Sequence, residues 1–520
     1  MSVVDGPGLE VTLDRRLPRA IQVGRATVVF CAGTCFHRKR RVAELAITMN
    51  GARHRPIAQR MPRLDRFREL HPALSPERAA SVKRDPESPQ DPELRSYRSG
   101  FWATFPIEPQ ERRGELELAV EARLADGTTE RAPLGTIAVV ERPEPPSYEG
   151  LQGAVEQPLI AICMATFNPD LELFRTQVES IRAQTDRNWV CLISDDCSEP
   201  ERFEAIADTI DGDERFVLSR PEEHLSFYRN FERALRMVPA QAEFVALSDH
   251  DDRWYPDKLE ALRQAIGSAE LAYSDLRRVD AEGRVRAETL WRDRRNNHTN
   301  LASLLISNTI VGAACLFRRR VIEHALPFPD GPGWDFHDHW LALVAMALGD
   351  VAYVGRPLYD YVQHPGGVLG QVASQPEESP GDNLSGLPAR IGRWRGFLGR
   401  WRPAYFTLYL QREFQARSLL VRCGAQLTRR KRRALQLLIA ASRSPLGFAW
   451  LAARPARALF GRNETLSVEG VLIRGILWRY LIVLRAWGRE RPGRSEDDAS
   501  LPFFEPQRLG RRQRRWLAQQ

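Results

Sequence analysis

Apolar and polar positions alternate in short β-like runs over the first 140 or so residues, then the rhythm changes. Residues 26–31, 43–49 and 116–122 read as strands, and Asn50-Gly51 and Asp126-Gly127 stand between such runs. Asn-Gly and Asp-Gly are the pairs that tight hairpin turns favour. Many short strands without helical periodicity predict an N-terminal β-sandwich of immunoglobulin-like type over 1–145, with 78–92 as a polar loop. A Pro-rich linker, Glu141-Arg142-Pro143-Glu144-Pro145-Pro146-Ser147, closes it. Beyond the linker, strand-like runs at 159–165, 189–194, 215–219 and 243–248 alternate with amphipathic stretches at 171–183 and about 199–209. Such alternation predicts one α/β domain over 157–370, built on a mostly parallel sheet covered on both faces. Past Pro365 the sequence turns helix-compatible, and 385–520 forms a third, basic region.

Composition changes this picture only at its C-terminal end. A chain of 520 residues with 43% hydrophobic and 27% charged positions is ordinary for a globular protein of two or three domains. Its 75 Lys and Arg against 67 Asp and Glu leave it at +8, which attracts polyanions or anionic lipid. The excess is concentrated: Arg429 to Arg462 holds nine basic residues and no acidic one, interleaved with Leu, Phe and Trp. Two readings stand level, a helical surface lying on an anionic membrane and an appendage packed on the α/β domain. Nucleic acid is not an expected partner, because no recognition motif accompanies the charge. Seven scattered cysteines form no disulfide framework, and Cys31-x3-Cys35 lacks the partners of a zinc site. With no secretory signal pattern and no sufficiently apolar run, the expected location is the cytoplasm, or the inner face of the membrane if the basic helices lie on lipid.

The candidate chemistry lies at the ends of the α/β strands. Phe244-Val245-Ala246-Leu247-Ser248 runs into Asp249-His250-Asp251-Asp252-Arg253-Trp254, three carboxylates within four residues at a strand end. Open α/β sheets bind ligands at that edge, and carboxylates two apart can share a hard divalent cation. Taken alone, the same stretch is more often a solvated acidic turn, and Asp252 is placed to cap the following helix.

Taken in order, several stretches resemble glycosyltransferase family 2, in particular its bacterial rhamnosyltransferase-like branch. Met164-Ala165-Thr166-Phe167-Asn168 is similar to that family's strand end beneath the nucleotide, and Ile193-Ser194-Asp195-Asp196-Cys197-Ser198 to its nucleobase-binding turn. Leu247 to Trp254, followed by Tyr255-Pro256-Asp257-Lys258, resembles its metal motif. Phe336-His337-Asp338-His339-Trp340 resembles the stretch carrying its catalytic base, and Tyr361-Val362-Gln363-His364-Pro365-Gly366-Gly367 its lid, with Val362 and Gly367 departing from the usual Arg and Asn. Asn308 to Ala314 resembles its acceptor-lining segment, and Phe227-Tyr228-Arg229-Asn230-Phe231 a helix start near the nucleotide.

The resemblance implies a GT-A nucleotide-sugar-binding fold and an inverting, metal-dependent transfer from a nucleoside-diphosphate sugar. It implies Asp338 as the base that takes the acceptor proton, and Thr166, Asn168, Asp195, Asp196, Arg229 and Asp249 at the donor nucleotide. Asn308, Gly312, His337 and Trp340 fall at the acceptor, and Asp249, Asp251 and His364 at a Mn2+ or Mg2+ ion. A glycan or lipid-linked acceptor in bacterial cell-surface polysaccharide synthesis follows from the same resemblance. The alternatives are a nucleotidyltransferase, for which the first strand lacks a Gly-rich basic loop, and a non-catalytic glycan-binding or scaffold protein, which would not need these carboxylates.

Overall fold

The computed structural model describes residues 4–5, 8–72, 94–146, 158–291, 295–296, 298–333, 336–364 and 401–488, with side chains as far as Leu481. The predicted polar loop at 78–92 and the glycines after His364 lie outside the described residues.

The N-terminal segment forms two five-stranded sheets. One runs Val4–Asp5, Leu9–Leu13, Thr27–His37, Gly100–Ile107, Ala58–Met61; the other runs Ala20–Gln22, Thr129–Val140, Gly114–Leu124, Val42–Met49, Ala52–His54. Asn50 and Gly51 both take positive φ, 44° and 87°, as the tightest hairpin turn requires. They reverse the chain between Val42–Met49 and Ala52–His54. Alternate residues of the facing strands, among them Ile47, Phe101, Phe105, Leu118 and Val120, fill the space between the sheets.

The α/β unit is built on a nine-stranded sheet. Its order is Phe216–Ser219, Trp189–Asp195, Leu159–Thr166, Ala242–Ser248, Cys315–Arg318, Leu271–Asp280, Val351–Gln363, Arg253–Trp254, with Val285–Ala287 paired to Leu271–Asp280. The first four strands are parallel throughout, so their runs are apolar on both faces rather than alternating. Beyond Ala242–Ser248 the sheet is mixed: Cys315–Arg318 is antiparallel to both its neighbours. The parallel character expected from βαβ rhythm therefore belongs to the first half of the domain, and the order agrees with the GT-A arrangement the motifs implied.

The C-terminal helices are fastened to the rest of the molecule. A π-helical segment, Ala404–Tyr409, leads into the helix Leu410–Arg422 and presents Tyr405 and Phe406 to Trp102 of the sandwich and Trp478 of the helix Val468–Gly488. Gly475 allows the two helices to cross closely, since a Cβ there would lie 2.7 Å from the backbone nitrogen of Tyr405. One continuous apolar core joins residues of all three regions. Much of the basic charge is spent inside this packing. Arg422 donates to the carbonyls of Ala325 and Pro327, Arg479 to those of Ser442 and Ile57, Lys431 to that of Gly349, and Arg457 pairs with Glu464. Of the nine basic residues between Arg429 and Arg462, Lys431, Arg454 and Arg457 are taken into this packing and the other six are exposed, so both readings of the basic region still stand. Among the described residues no helix is long and apolar enough to cross a membrane.

Candidate active site

The parallel strands set the chemistry in register at one edge. Thr166 pairs with Asp195, and Met164 with Ser248, so the polar residues that end three apolar strands emerge side by side. Above them opens a cavity of about 990 Å³, within the range of small-molecule sites.

At one end lie Thr166, Phe167, Asn168, Asp196 and His224. Phe167 is 47% exposed and its ring lies 4.8 Å from that of His224, a flat aromatic surface beside a carboxylate. Asp196 accepts from the backbone N-H of Leu225 at 2.6 Å and faces His224 Nδ1 at 3.1 Å. Asp195 lies apart from this surface: fully buried, it accepts from the Thr166 hydroxyl at 3.1 Å and from the Ser198 backbone N-H at 3.0 Å. It ties two strand ends together rather than facing the cavity. Asn168, at positive φ of 44°, likewise braces the turn, its side-chain oxygen accepting from the N-H of Glu199 at 2.8 Å.

The middle of the cavity holds Asp249, His250, Asp251 and His364. Burial, reinforced by the neighbouring Asp251, pushes the Asp249 carboxyl up to about 6. Burial also works to raise Asp251, but His250 and the His364 ring, whose Nε2 lies 2.7 Å from Asp251 Oδ2, hold it below the usual range. The same contact raises His364. No group of three His, Cys, Asp or Glu side chains is preassembled around a common point among the described residues. The donor set still fits a divalent cation held by two carboxylates and completed by phosphate oxygens, because such an ion would relieve the repulsion that raises Asp249.

Asp252 is not the helix cap that its position suggests. It is buried, its Oδ1 accepts from the Val362 N-H at 3.3 Å, and its carboxyl is pushed well up by burial and by Asp249. The nearest helix, Lys258–Ile266, starts from Asp257 with no side-chain cap at all. Beneath the carboxylates sits Lys258, fully buried, donating to the Ala313 carbonyl at 2.6 Å and lying 3.4 Å above the Trp254 ring. Burial pushes the Lys258 amine well below its ordinary value, and Asp252 and Asp249 only partly oppose that.

Asn308, Gly312, His337 and Asp338 line the far end. Asp338 stands in the first turn of the helix His337–Leu348, accepts from the Asn308 amide at 3.2 Å, and is held also by the N-H of Gly312. A helix start favours an ionised carboxyl, but burial outweighs it here and lifts this one to about 7. A Cβ on Gly312 would lie 3.1 Å from Asp338 Cβ and from His337 Nε2, so the close approach of turn and helix favours glycine. His337 stacks on Phe231 at 3.7 Å, its burial depresses it to about 3, and it stays a neutral imidazole.

Besides Asp195, two more expected site residues are not brought to the cavity. Arg229 turns to the other face of the helix Phe227–Arg236 and pairs with Glu232 and Asp330. Trp340 is buried in the core, its indole N-H donating to the Ala325 carbonyl at 3.1 Å. Several contributors escaped the sequence reading. Asn230 donates to the carbonyls of Thr166 at 3.2 Å and Ser194 at 2.8 Å, and so fastens its helix to two strand ends. Its place one turn into a helix that begins near a strand edge was the available signal. Phe167 sat within a quoted motif, whereas nothing in the sequence marked His224.

Comparison with known proteins agrees with the motif order. Residues 161–326 match the model of "Glycosyl transferase family 2". An uncharacterized protein of Sinorhizobium fredii, y4gI, is 26% identical over 227 residues, 42% of this chain and 24% of that protein. An uncharacterized glycosyltransferase of Methanocaldococcus jannaschii, MJ1057, is 27% identical over 109 residues, 21% of this chain and 37% of that protein. The chain thus spans about a quarter and just over a third of these curated relatives. Among solved structures, S. aureus TarS 1-349 overlaps 67% of this chain and 97% of its own at 14% identity and TM-score 0.37. Mannosyltransferase PcManGT of Pyrobaculum calidifontis, in complex with GDP-Man and Mn2+, overlaps 64% of this chain and 88% of its own at 16% identity and TM-score 0.35. Overlaps this loose decide nothing about the ligand. The family match covers the strand ends that build one side of the cavity, and over residues 161–326 the chain is similar to glycosyl transferase family 2.

Proposed function

We propose that this protein is an inverting glycosyltransferase that moves a sugar from a nucleoside-diphosphate donor to an acceptor hydroxyl. The observation that carries the reading is the single cavity bringing together Asp196, the Asp249–Asp251 pair and Asp338, three acidic groups whose surroundings differ. Phe167, His224 and Asp196 offer a stacking surface and an acceptor for a nucleobase N-H. Asp249 and Asp251, with His364 at their side, would hold Mn2+ or Mg2+, which supplies charge stabilisation to a departing diphosphate. Asp338, lifted to about 7, is a stronger base than an ordinary carboxylate and takes the proton from the attacking hydroxyl. Asn308 and the Gly312 N-H fix its direction, and neutral His337 borders the space left for the acceptor. Attack from the Asp338 side on a sugar whose leaving group lies toward Asp249 gives inversion in one displacement.

A glycan or lipid-linked acceptor, used at the inner face of a membrane for cell-surface polysaccharide, fits a second feature. Leu446, Leu459 and Phe460 are 69%, 84% and 80% exposed on the helix Pro445–Ala453 and the 3-10 segment Arg454–Phe460, beside exposed Arg443 and Arg462. Bulky apolar side chains flanked by arginines suit an anionic lipid surface. The test is a panel of nucleoside-diphosphate sugars with Mn2+ or Mg2+, read by thermal stabilisation and donor hydrolysis. One donor should stabilise the chain and turn over; a panel without response would refute the reading.

A further inference from the structure

The helix Phe227–Arg236 serves two cavities. Phe227, Asn230 and Phe231 line the site already described, while Arg229, Glu232 and Arg236 face a separate cleft of about 320 Å³ where the sandwich meets the α/β unit. Five arginines and only two carboxylates line this second cleft: Arg19, Arg25, Arg229, Arg236 and Arg422 against Glu232 and Asp330. Both carboxylates are engaged, Glu232 by Arg229 and Arg236 and Asp330 by Arg229. That leaves three guanidinium groups, Arg19 and Arg25 on the segments flanking the strand Ala20–Gln22 and Arg422 at the end of the helix Leu410–Arg422, with no ion-pair partner within the cleft.

Two of them are held there against their own repulsion. Arg25 makes no side-chain hydrogen bond or ion pair with any described residue, and burial and the nearby Arg142 charge lower its affinity for its proton by more than Glu323 raises it. Arg422 spends Nη1 on the carbonyls of Ala325 and Pro327 and Nη2 on the Thr27 hydroxyl at 3.4 Å, and its buried Nε has no hydrogen-bond partner. Burial, with Arg25 adding to it, pushes Arg422 down to about 10. A buried cation opposed by a second cation is costly unless an anion completes the set. Planar forks meeting from different elements suit a tetrahedral, multiply charged oxyanion better than a single carboxylate.

We propose that this cleft, lined by Arg19, Arg25 and Arg422, is a binding site for a ligand carrying a phosphate or pyrophosphate group, separate from the donor cavity. The ligand bridges the sandwich and the α/β unit. This gives the N-terminal domain a binding role in addition to its packing role.

The test is calorimetric titration of the full chain with inorganic pyrophosphate and with glycerol 3-phosphate, in EDTA. Without a divalent cation the carboxylates of the donor cavity, among them Asp196, Asp249 and Asp251, repel a phosphate, so its contribution is reduced. The expected result is one saturable, salt-sensitive site for at least one probe. Arg25→Gln should weaken it about tenfold, as loss of one charge-assisted contact implies, and Arg25→Lys by less. Asp251→Asn, in the other cavity, should leave it unchanged. Because the Arg25 side chain makes no hydrogen bond with any described residue, its variants should melt as the parent does. Absence of saturable binding by the parent overturns the proposal, as does binding that Arg25→Gln leaves intact or that Asp251→Asn alters.

Discussion

The Asn308 side-chain amide donates to Asp338 Oδ2 across 3.2 Å, and the same amide donates to the Ile310 carbonyl at 2.9 Å. A loop residue thereby aims the carboxylate of a helix start. If Asp338 takes the acceptor proton, Asp338→Asn should lower kcat by about 10²- to 10⁴-fold while donor affinity changes little. Asn308→Ala, which keeps the base but frees it to turn, should cost roughly tenfold in kcat. Steady-state kinetics beside donor titration separates the two; unaltered turnover in Asp338→Asn removes it from the mechanism.

Asp338 also sets a pH dependence with a definite sign. Its carboxyl is lifted to about 7 in the folded chain, so kcat/KM should rise with pH on a limb centred near that value. Between the ordinary carboxylate range and about 7, the unfolded chain has released this proton and the folded chain has kept it. Raising pH across that window therefore removes stability, and the loss is complete above it. Asp338→Asn should accordingly melt a few degrees higher than the parent at pH 8 and about the same at pH 4, a trade of stability for function measurable by calorimetry.

How much of this was legible in the sequence depends on how local each constraint is. The strand ends could be read because an apolar run that stops at Asp or Asn marks the sheet edge and the lining of the cavity above it, as at Asn168, Asp196 and Asp249. Asn50-Gly51 could be read because so few dipeptides tolerate two positive φ values. Arg229 went astray because the motif gave its neighbourhood but not its face. Helical spacing groups 227, 230 and 231 together and 229, 232 and 236 together, and only the packing shows which group faces the cavity. Trp340 and Asp252 failed for the same reason: each sits within a motif yet is turned into the core, one toward the Ala325 carbonyl and the other toward the Val362 N-H. The fate of the C-terminal arginines was not legible at all, since their partners are carbonyls more than 80 residues away in several cases.

The Asp249–Asp251 pair carries the prediction about metal. A divalent cation should bind in the presence of a nucleoside diphosphate, and the double replacement Asp249→Asn with Asp251→Asn should abolish that stabilisation in a thermal melt. Transfer should fall by about 10³-fold in the double variant or after EDTA, if the ion supplies several kcal/mol to the leaving diphosphate. His364→Gln should have a smaller effect, because His364 touches Asp251 directly and the carboxylates alone can hold the ion. Full activity after exhaustive metal removal would exclude the role given to both aspartates.

The exposed apolar patch makes a prediction that separates lipid binding from general basicity. If charge alone drew the protein to membranes, replacing Arg430 and Arg433 on the exposed side of the helix Arg429–Ala440 would weaken binding most. If insertion of side chains matters, Leu446, Leu459 and Phe460 should dominate, since burying each is worth about 1.5–3 kcal/mol. The triple replacement of these three by Ser should therefore cut sedimentation of the full chain with anionic vesicles by at least tenfold. It should leave the melting temperature nearly unchanged, because side chains 69% to 84% exposed contribute little to the core. Vesicle binding equal to that of the parent would show that this face does not meet lipid.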